Sequence, residues 1–143
     1  MKLTAIDLSP KMLVKAKKKY HKKSLKVKFY CMDAENLIFK DRSFDYIVTA
    51  FVLCSIPDPI KALKEMKRVL KKNVKIISIE YVLSKNKLIS LWQHIHNPFT
   101  KSIFGFNVNR VTESNIRNAG LLIERDTNLP LFDVFRKFVV RKT

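Results

Sequence analysis

Short, mostly apolar runs alternate with amphipathic stretches along this chain, and that alternation leaves few architectures open to it. Residues 3–7 (Leu-Thr-Ala-Ile-Asp), 27–31, 44–50 and 74–79 have the length and apolar, β-branched character of strands. The last (Val-Lys-Ile-Ile-Ser-Ile) is nearly all apolar, as expected of a strand covered on both faces in a parallel sheet. Ser9-Pro10 opens a helix predicted to reach about Lys23, with Leu13, Ala16 and Tyr20 on one face. Pro57-Asp58-Pro59 starts a second helix, whose apolar face is Ala62, Leu63, Met66, Val69 and Leu70. Residues 86–96 predict an amphipathic helix with Leu88, Leu91, Trp92 and Ile95, and 97–111 a loop holding Pro98 and Gly105. Thr112 is expected to cap a short helix ended by Gly120, and 121–124 and 134–140 to form two final strands. Strands and helices at this spacing predict an α/β domain on a mainly parallel sheet, a single domain over 1–143.

Glycine narrows the choice further. The chain has two, Gly105 and Gly120, where about ten would be usual for its length. No glycine-rich phosphate or dinucleotide loop can therefore lie within it. The charge is equally uneven: 29 Lys+Arg against 12 Asp+Glu give +17. Segment 11–28 holds nine Lys and no acid, and 61–75 holds seven Lys/Arg against Glu65. Such a field either draws an anionic partner (RNA, DNA or acidic lipid) or is the solvated face of ordinary helices. The excess is Lys rather than the planar Arg that grips phosphate, and no zinc-finger or RNP1 pattern occurs, which weakens the nucleic-acid reading. No apolar run approaches a membrane span, and the N-terminus has no signal-peptide core. Cys31 and Cys54 read as reduced thiols of a cytoplasmic protein.

In parallel α/β sheets ligands bind at the carboxyl ends of the strands. Asp7 ends the first strand; a carboxylate there accepts from a ribose diol or, equally, serves as a turn acid before Ser9-Pro10. Met12 either lies against a flat purine or packs in the core. Asp33-Ala34 follows the second strand; Asp33 suits an exocyclic amine such as adenine N6, with Ala34 giving a backbone N–H, or closes an Asx turn. Ala50 and Phe51 end the third strand, where they line a pocket or belong to the core. Glu80, at the end of the fourth, is a candidate to face the cleft. His94 and His96 are two apart and do not share a helix face, so a metal site is not indicated. Cys54-Ser55 has no histidine beside it in sequence, so nucleophilic catalysis is not indicated.

Taken in order, these segments match a known pattern. Ala5-Ile6-Asp7-Leu8-Ser9-Pro10-Lys11-Met12-Leu13 resembles the region after the first strand–helix unit of class I S-adenosylmethionine-dependent methyltransferases. Asp33-Ala34-Glu35-Asn36-Leu37, Phe39-x-Asp41-x-Ser43-Phe44-Asp45, Phe51 to Pro59 and Ala62-Leu63-x-Glu65-Met66-x-Arg68-Val69-Leu70-Lys71 follow. The likeness is to the branch of ubiquinone/menaquinone C-methyltransferases and phospholipid N-methyltransferases. It is strong over 3–80 and weaker at Asn107-x-Asn109-Arg110-x-Thr112 and the C-terminus.

The resemblance implies a Rossmann-like sheet, with an antiparallel C-terminal strand, that binds S-adenosylmethionine. Asp7 would hold the ribose hydroxyls, Leu8 and Met12 would flank the adenine, Asp33 and Ala34 would read its amine, and Ala50 and Phe51 would line the methionine end. The implied chemistry is in-line transfer of the sulfonium methyl to a small hydrophobic, lipid-like or quinone-like acceptor, with no dedicated catalytic residue assigned. Trp92, Ile103, Phe104, Phe106 and Phe132 are candidates for the acceptor pocket, or else ordinary core and lid packing.

One departure stands out. The family's glycine-rich motif precedes the ribose acid by about 20 residues, and only six precede Asp7 here. The chain is thus expected to lack the first strand–helix unit, whose strand lies between those at 3–7 and 44–50 in the family. Its loss leaves either two unpaired edges or a collapsed seam. Expected partners are then a complementing N-terminal segment, a second copy through the exposed edges, and an anionic membrane touched by the Lys-rich helices. The alternatives are a catalytically inactive remnant or partner subunit, or a basic protein that binds RNA or anionic lipid. Lys72-Asn73 replaces the family's Pro-Gly-Gly, a change that Asn tolerates through its left-handed conformation.

Overall fold

The computed structural model describes residues 2–21, 26–129 and 132–142. β1 (Leu3–Asp7) and β2 (Val27–Cys31) pair in parallel, Leu3 opposite Val27 and Asp7 opposite Cys31. α1 (Pro10–His21) joins them. Its start is set as the sequence predicts: Ser9 accepts the Met12 N–H through Oγ at 3.4 Å, and Pro10 takes the first helical position. Leu13 is buried and Ala16 and Tyr20 are half-buried, while Lys11, Lys15, Lys17, Lys18 and Lys19 are exposed. The predicted end at Lys23 lies outside the described residues, as does Lys22.

The other strands build a second sheet. β3 (Phe44–Ala50), α2 (Pro59–Val69) and β4 (Leu70–Tyr81) are followed by α3 (Lys87–Phe104), α4 (Thr112–Asn118), β5 (Leu121–Asn128) and β6 (Phe135–Lys142). The strand order is β3-β4-β6-β5, with β3 parallel to β4 and both pairings of β6 antiparallel. Among the described residues β1 pairs with β2 alone and β3 with β4 alone. Of the two expected outcomes, the structure has unpaired edges, not a collapsed seam.

α2 explains why one face of the larger sheet is dry. Asp58 caps it, accepting the Lys61 N–H at 3.0 Å, and Pro59 begins it. Ala62, Leu63, Met66 and Val69, with Leu70 just past the helix, are all buried. All but Val69 share one cluster with Ile76, Ile116, Phe138 and Val140. Each large side chain buried there contributes about 1.5–3 kcal/mol.

β4 begins four residues earlier than expected, because Asn73 takes φ +58° and the chain turns without leaving the sheet. Gly120 has φ +70°, and a Cβ there would stand 2.9 Å from Lys67 Nζ, which donates to the Gly120 carbonyl.

Two local expectations are corrected. α3 does not stop at residue 96 but continues through Pro98 to Phe104, closing on Gly105 at φ +74°. Pro98 is on the solvent side, and the Asn97 side chain beside it accepts the Val108 N–H of the following loop at 2.9 Å. Thr112 is not a cap either: Val111 occupies that position without a side-chain bond, and the buried Thr112 Oγ1 has no hydrogen-bond partner among the described residues.

Candidate functional site

The parallel pair sets the first half of the site. Because Asp7 lies opposite Cys31, Asp7 and Asp33 sit at the same end of neighbouring strands. Each carboxylate closes its own turn: Asp7 Oδ1 accepts the Ser9 N–H and Asp33 Oδ1 the Glu35 N–H, both at 2.8 Å. The turn-acid and Asx readings are therefore realised, and among the described residues the second oxygen of each has no partner. Leu8 and Met12 are more than half exposed beside them. Two large apolar side chains in water next to two carboxylates with spare acceptors form a surface suited to a flat, polar-edged ring such as a nucleobase.

The loop after β2 carries this half to the larger sheet. Ala34 packs against the buried cluster that contains Leu53 and Ile56, and Glu35 Oε1 accepts the Asp58 N–H at 2.9 Å. Arg68 of α2 fastens the rest of the loop. Its guanidinium donates to the carbonyls of Leu37 and Phe39, to Asp41, and through Nε and NH2 to both oxygens of Glu65. Glu65 Oε2 also accepts the Leu37 N–H, and its carboxyl is held below the usual range, chiefly by Arg68.

The second half of the site is the turn after β3. Ala50 is exposed at the strand end, and Phe51 has φ +56°, unusual for a bulky residue. Its N–H continues the ladder to Ile79 O at 2.8 Å. Its ring remains 49% exposed and meets Phe135 edge-on at 6.0 Å; Phe135 in turn meets Tyr81 at 5.1 Å. The three rings make an aromatic wall at the carboxyl ends of β3 and β4.

Glu80 does not face the cleft, contrary to expectation. It is 0% exposed, and its carboxylate accepts the N–H groups of Val52 and Leu53 at 3.4 and 3.0 Å and the Ser78 hydroxyl at 2.9 Å. Thr49 lies behind, donating to Ser78 Oγ at 2.7 Å. Burial pushes the Glu80 carboxyl above the ordinary range, against the pull of these donors. A carboxylate ending an otherwise apolar strand was the only sequence signal for this anchor.

Other candidates separate. Trp92 and Ile103 are more than half exposed and Phe106 half-buried; the side chains of Phe104 and Phe132 lie outside the described residues. His94 pairs with Asn109, and His96 stacks on Trp92. Cys31 and Cys54 are free thiols that donate to the carbonyls of Leu8 and Phe51, and the Cys54 thiol, buried near Glu80, is pushed up to about 11. Among the described residues no cluster of His, Cys, Asp or Glu could hold a metal ion, and no helix is long and apolar enough to cross a membrane.

Similarity to known proteins follows the same outline. A family model described as "Methyltransferase domain" matches residues 1–78. The ubiquinone/menaquinone biosynthesis C-methyltransferase UbiE of Rickettsia bellii is 36% identical over 140 residues, covering 94% of this chain and 53% of that protein. Its namesake in Rickettsia felis is 46% identical over 81 residues, covering 55% of this chain and 33% of that one. The chain thus spans about half the length of the curated relatives it matches. Among solved structures, a SAM-dependent methyltransferase from Methanosarcina mazei superposes with TM-score 0.76 at 22% identity, covering 99% of this chain and 82% of that one. One from Aquifex aeolicus gives 0.68 at 20%, covering 97% and 68%. The family model covers more than half of the chain, and the chain belongs to the class I S-adenosylmethionine-dependent methyltransferase family.

Proposed function

We propose that this chain carries the adenosine-binding and acceptor-facing parts of a methyltransferase that moves the methyl group of S-adenosylmethionine to a small, quinone-like acceptor. The observation that carries the reading is the pair Asp7 and Asp33 on adjacent strand tips, flanked by exposed Leu8 and Met12. The free oxygen of Asp7 suits the ribose diol, and Asp33 with the Ala34 N–H suits the adenine edge. Leu8 and Met12 cover the ring faces. Ala50 and Phe51 line the end towards the methyl group. When bound, the cofactor supplies an electrophilic sulfonium methyl. The chain's own part is to orient the two reactants and keep water out, and in-line transfer depends mostly on such positioning. The Phe51–Phe135–Tyr81 wall suits a flat, apolar acceptor ring. The names of the Rickettsia relatives support a quinone-type acceptor and carbon as its methylated atom.

What this chain does not offer is a cradle for the cofactor's methionine end, since its two glycines lie beyond residue 104. The edges of β1 and β3 that are unpaired among the described residues suit a complementing strand that brings such a cradle, and activity is expected to depend on it. Calorimetry with S-adenosylmethionine tests the reading. A micromolar site weakened about tenfold or more by Asp7→Ala, and likewise by Asp33→Ala, agrees with it. Absence of heat both alone and after adding a strand–helix segment from a relative leaves the non-catalytic partner-subunit reading.

A further inference from the structure

α3 is amphipathic in the inverted sense. Its inward face is polar: Gln93, fully buried, donates from Nε2 to the carbonyls of Val82 and Val108 at 2.9 and 2.8 Å and accepts the Ser84 N–H at 2.8 Å. One turn on, Asn97 Oδ1 accepts the Val108 N–H at 2.9 Å. The apolar residues point the other way. Leu88, Leu91, Trp92, Ile95, Phe99 and Ile103 are each more than half exposed. At 100° per residue they fall within an arc of about 120° along the whole helix. A soluble helix normally buries such a stripe, so water is not the medium this face is built for.

Charge selects the medium. No Asp or Glu occurs from Tyr81 to Thr112, while Lys87 and Lys101, with His94 between them, run along one flank of the stripe. Asp133, bonded to the segment that leads into α3, is engaged by the Ser84 hydroxyl and the Lys85 N–H. The whole chain carries +17, so a second copy seated on this face would add like charge to like charge. We infer that α3 lies in the interfacial plane of an anionic bilayer, its six apolar side chains at the acyl boundary and its lysines among the headgroups. This surface is distinct from the Lys-rich α1, and the inference does not depend on the methyl-transfer reading.

Trp92 is the chain's single tryptophan and lies within the stripe, so the protein reports on itself. The full chain is titrated with vesicles of phosphatidylcholine alone or with phosphatidylglycerol, following Trp92 emission and acrylamide quenching, and flotation is run in parallel. The expected result is a blue shift and protection with the anionic vesicles, about tenfold weaker with the neutral ones. Ile95→Glu and Phe99→Glu, at solvent-exposed positions, should each lower the partition about tenfold while circular dichroism stays native. Lys87→Gln with Lys101→Gln, which leaves the stripe whole, should lower only the anionic component. Failure to float with anionic vesicles overturns the inference, as does binding indifferent to Ile95→Glu, which would assign attachment to the lysines elsewhere. A dimer in light scattering that disappears in Ile95→Glu, without vesicle binding, would assign the stripe to self-association instead.

Discussion

Glu80 reaches across from β4 to accept the Leu53 N–H at 3.0 Å and, with the Val52 N–H at 3.4 Å, ties the turn after β3 to the next strand. The turn it anchors places Phe51 in its left-handed conformation and aims the ring at Phe135. Removing the acceptor strands two backbone donors among buried apolar groups. Glu80→Ala is expected to lower unfolding stability by about 2–5 kcal/mol in urea titrations, far more than any solvent-facing substitution.

The same carboxyl gives a pH signature. Burial raises its folded value above the unfolded one, so the folded chain binds the extra proton. Its contribution is fully present at low pH and declines as pH rises from the ordinary glutamate range through the raised folded value. Wild-type stability minus that of Glu80→Gln should therefore fall over that window and then level off. A difference that is flat with pH would refute the assignment.

Glu65 has the opposite sign. Arg68 holds its carboxyl below the ordinary value, so its contribution is present above the ordinary glutamate range and is lost as pH falls through the lowered folded value. Arg68→Lys keeps the charge but cannot serve Glu65, Asp41 and two carbonyls together. Amide exchange at Leu37 and its neighbours should quicken about tenfold in that variant, while β4 and β6 stay protected.

The two thiols should differ sharply. Cys31 is exposed; Cys54 is buried and its thiol is pushed up to about 11 by burial and by Glu80. At pH 8 a thiol reagent should label Cys31 promptly and reach Cys54 only after denaturation, read by peptide mass spectrometry.

Asn73 tests a backbone requirement. At φ +58° a β-branched residue is strained, and Asn73→Val should cost about 1–2 kcal/mol, whereas Asn73→Gly should hold or gain stability. Equal midpoints for the two variants in urea would contradict the observed turn.

Local chemistry alone settled much of this protein. Ser9-Pro10 and Asp58-Pro59 start helices wherever they occur before an apolar periodicity, and Leu13 or Met66 must face inward because their spacing leaves no other face. The same local logic placed Asp7 and Asp33 at the ends of strands and gave Asn73 its turn. Tertiary structure decided what such rules do not reach. Periodicity identifies an apolar stripe but not the direction it faces, and in α3 the hydrogen bonds of Gln93 turned that stripe outward. Chain order makes Glu80 a cleft candidate, yet only the position of the 52–53 backbone, brought beside β4 by the β3 pairing, makes it a buried acceptor. Long-range partners are set by where the chain returns in space, and a one-dimensional pattern carries no record of that.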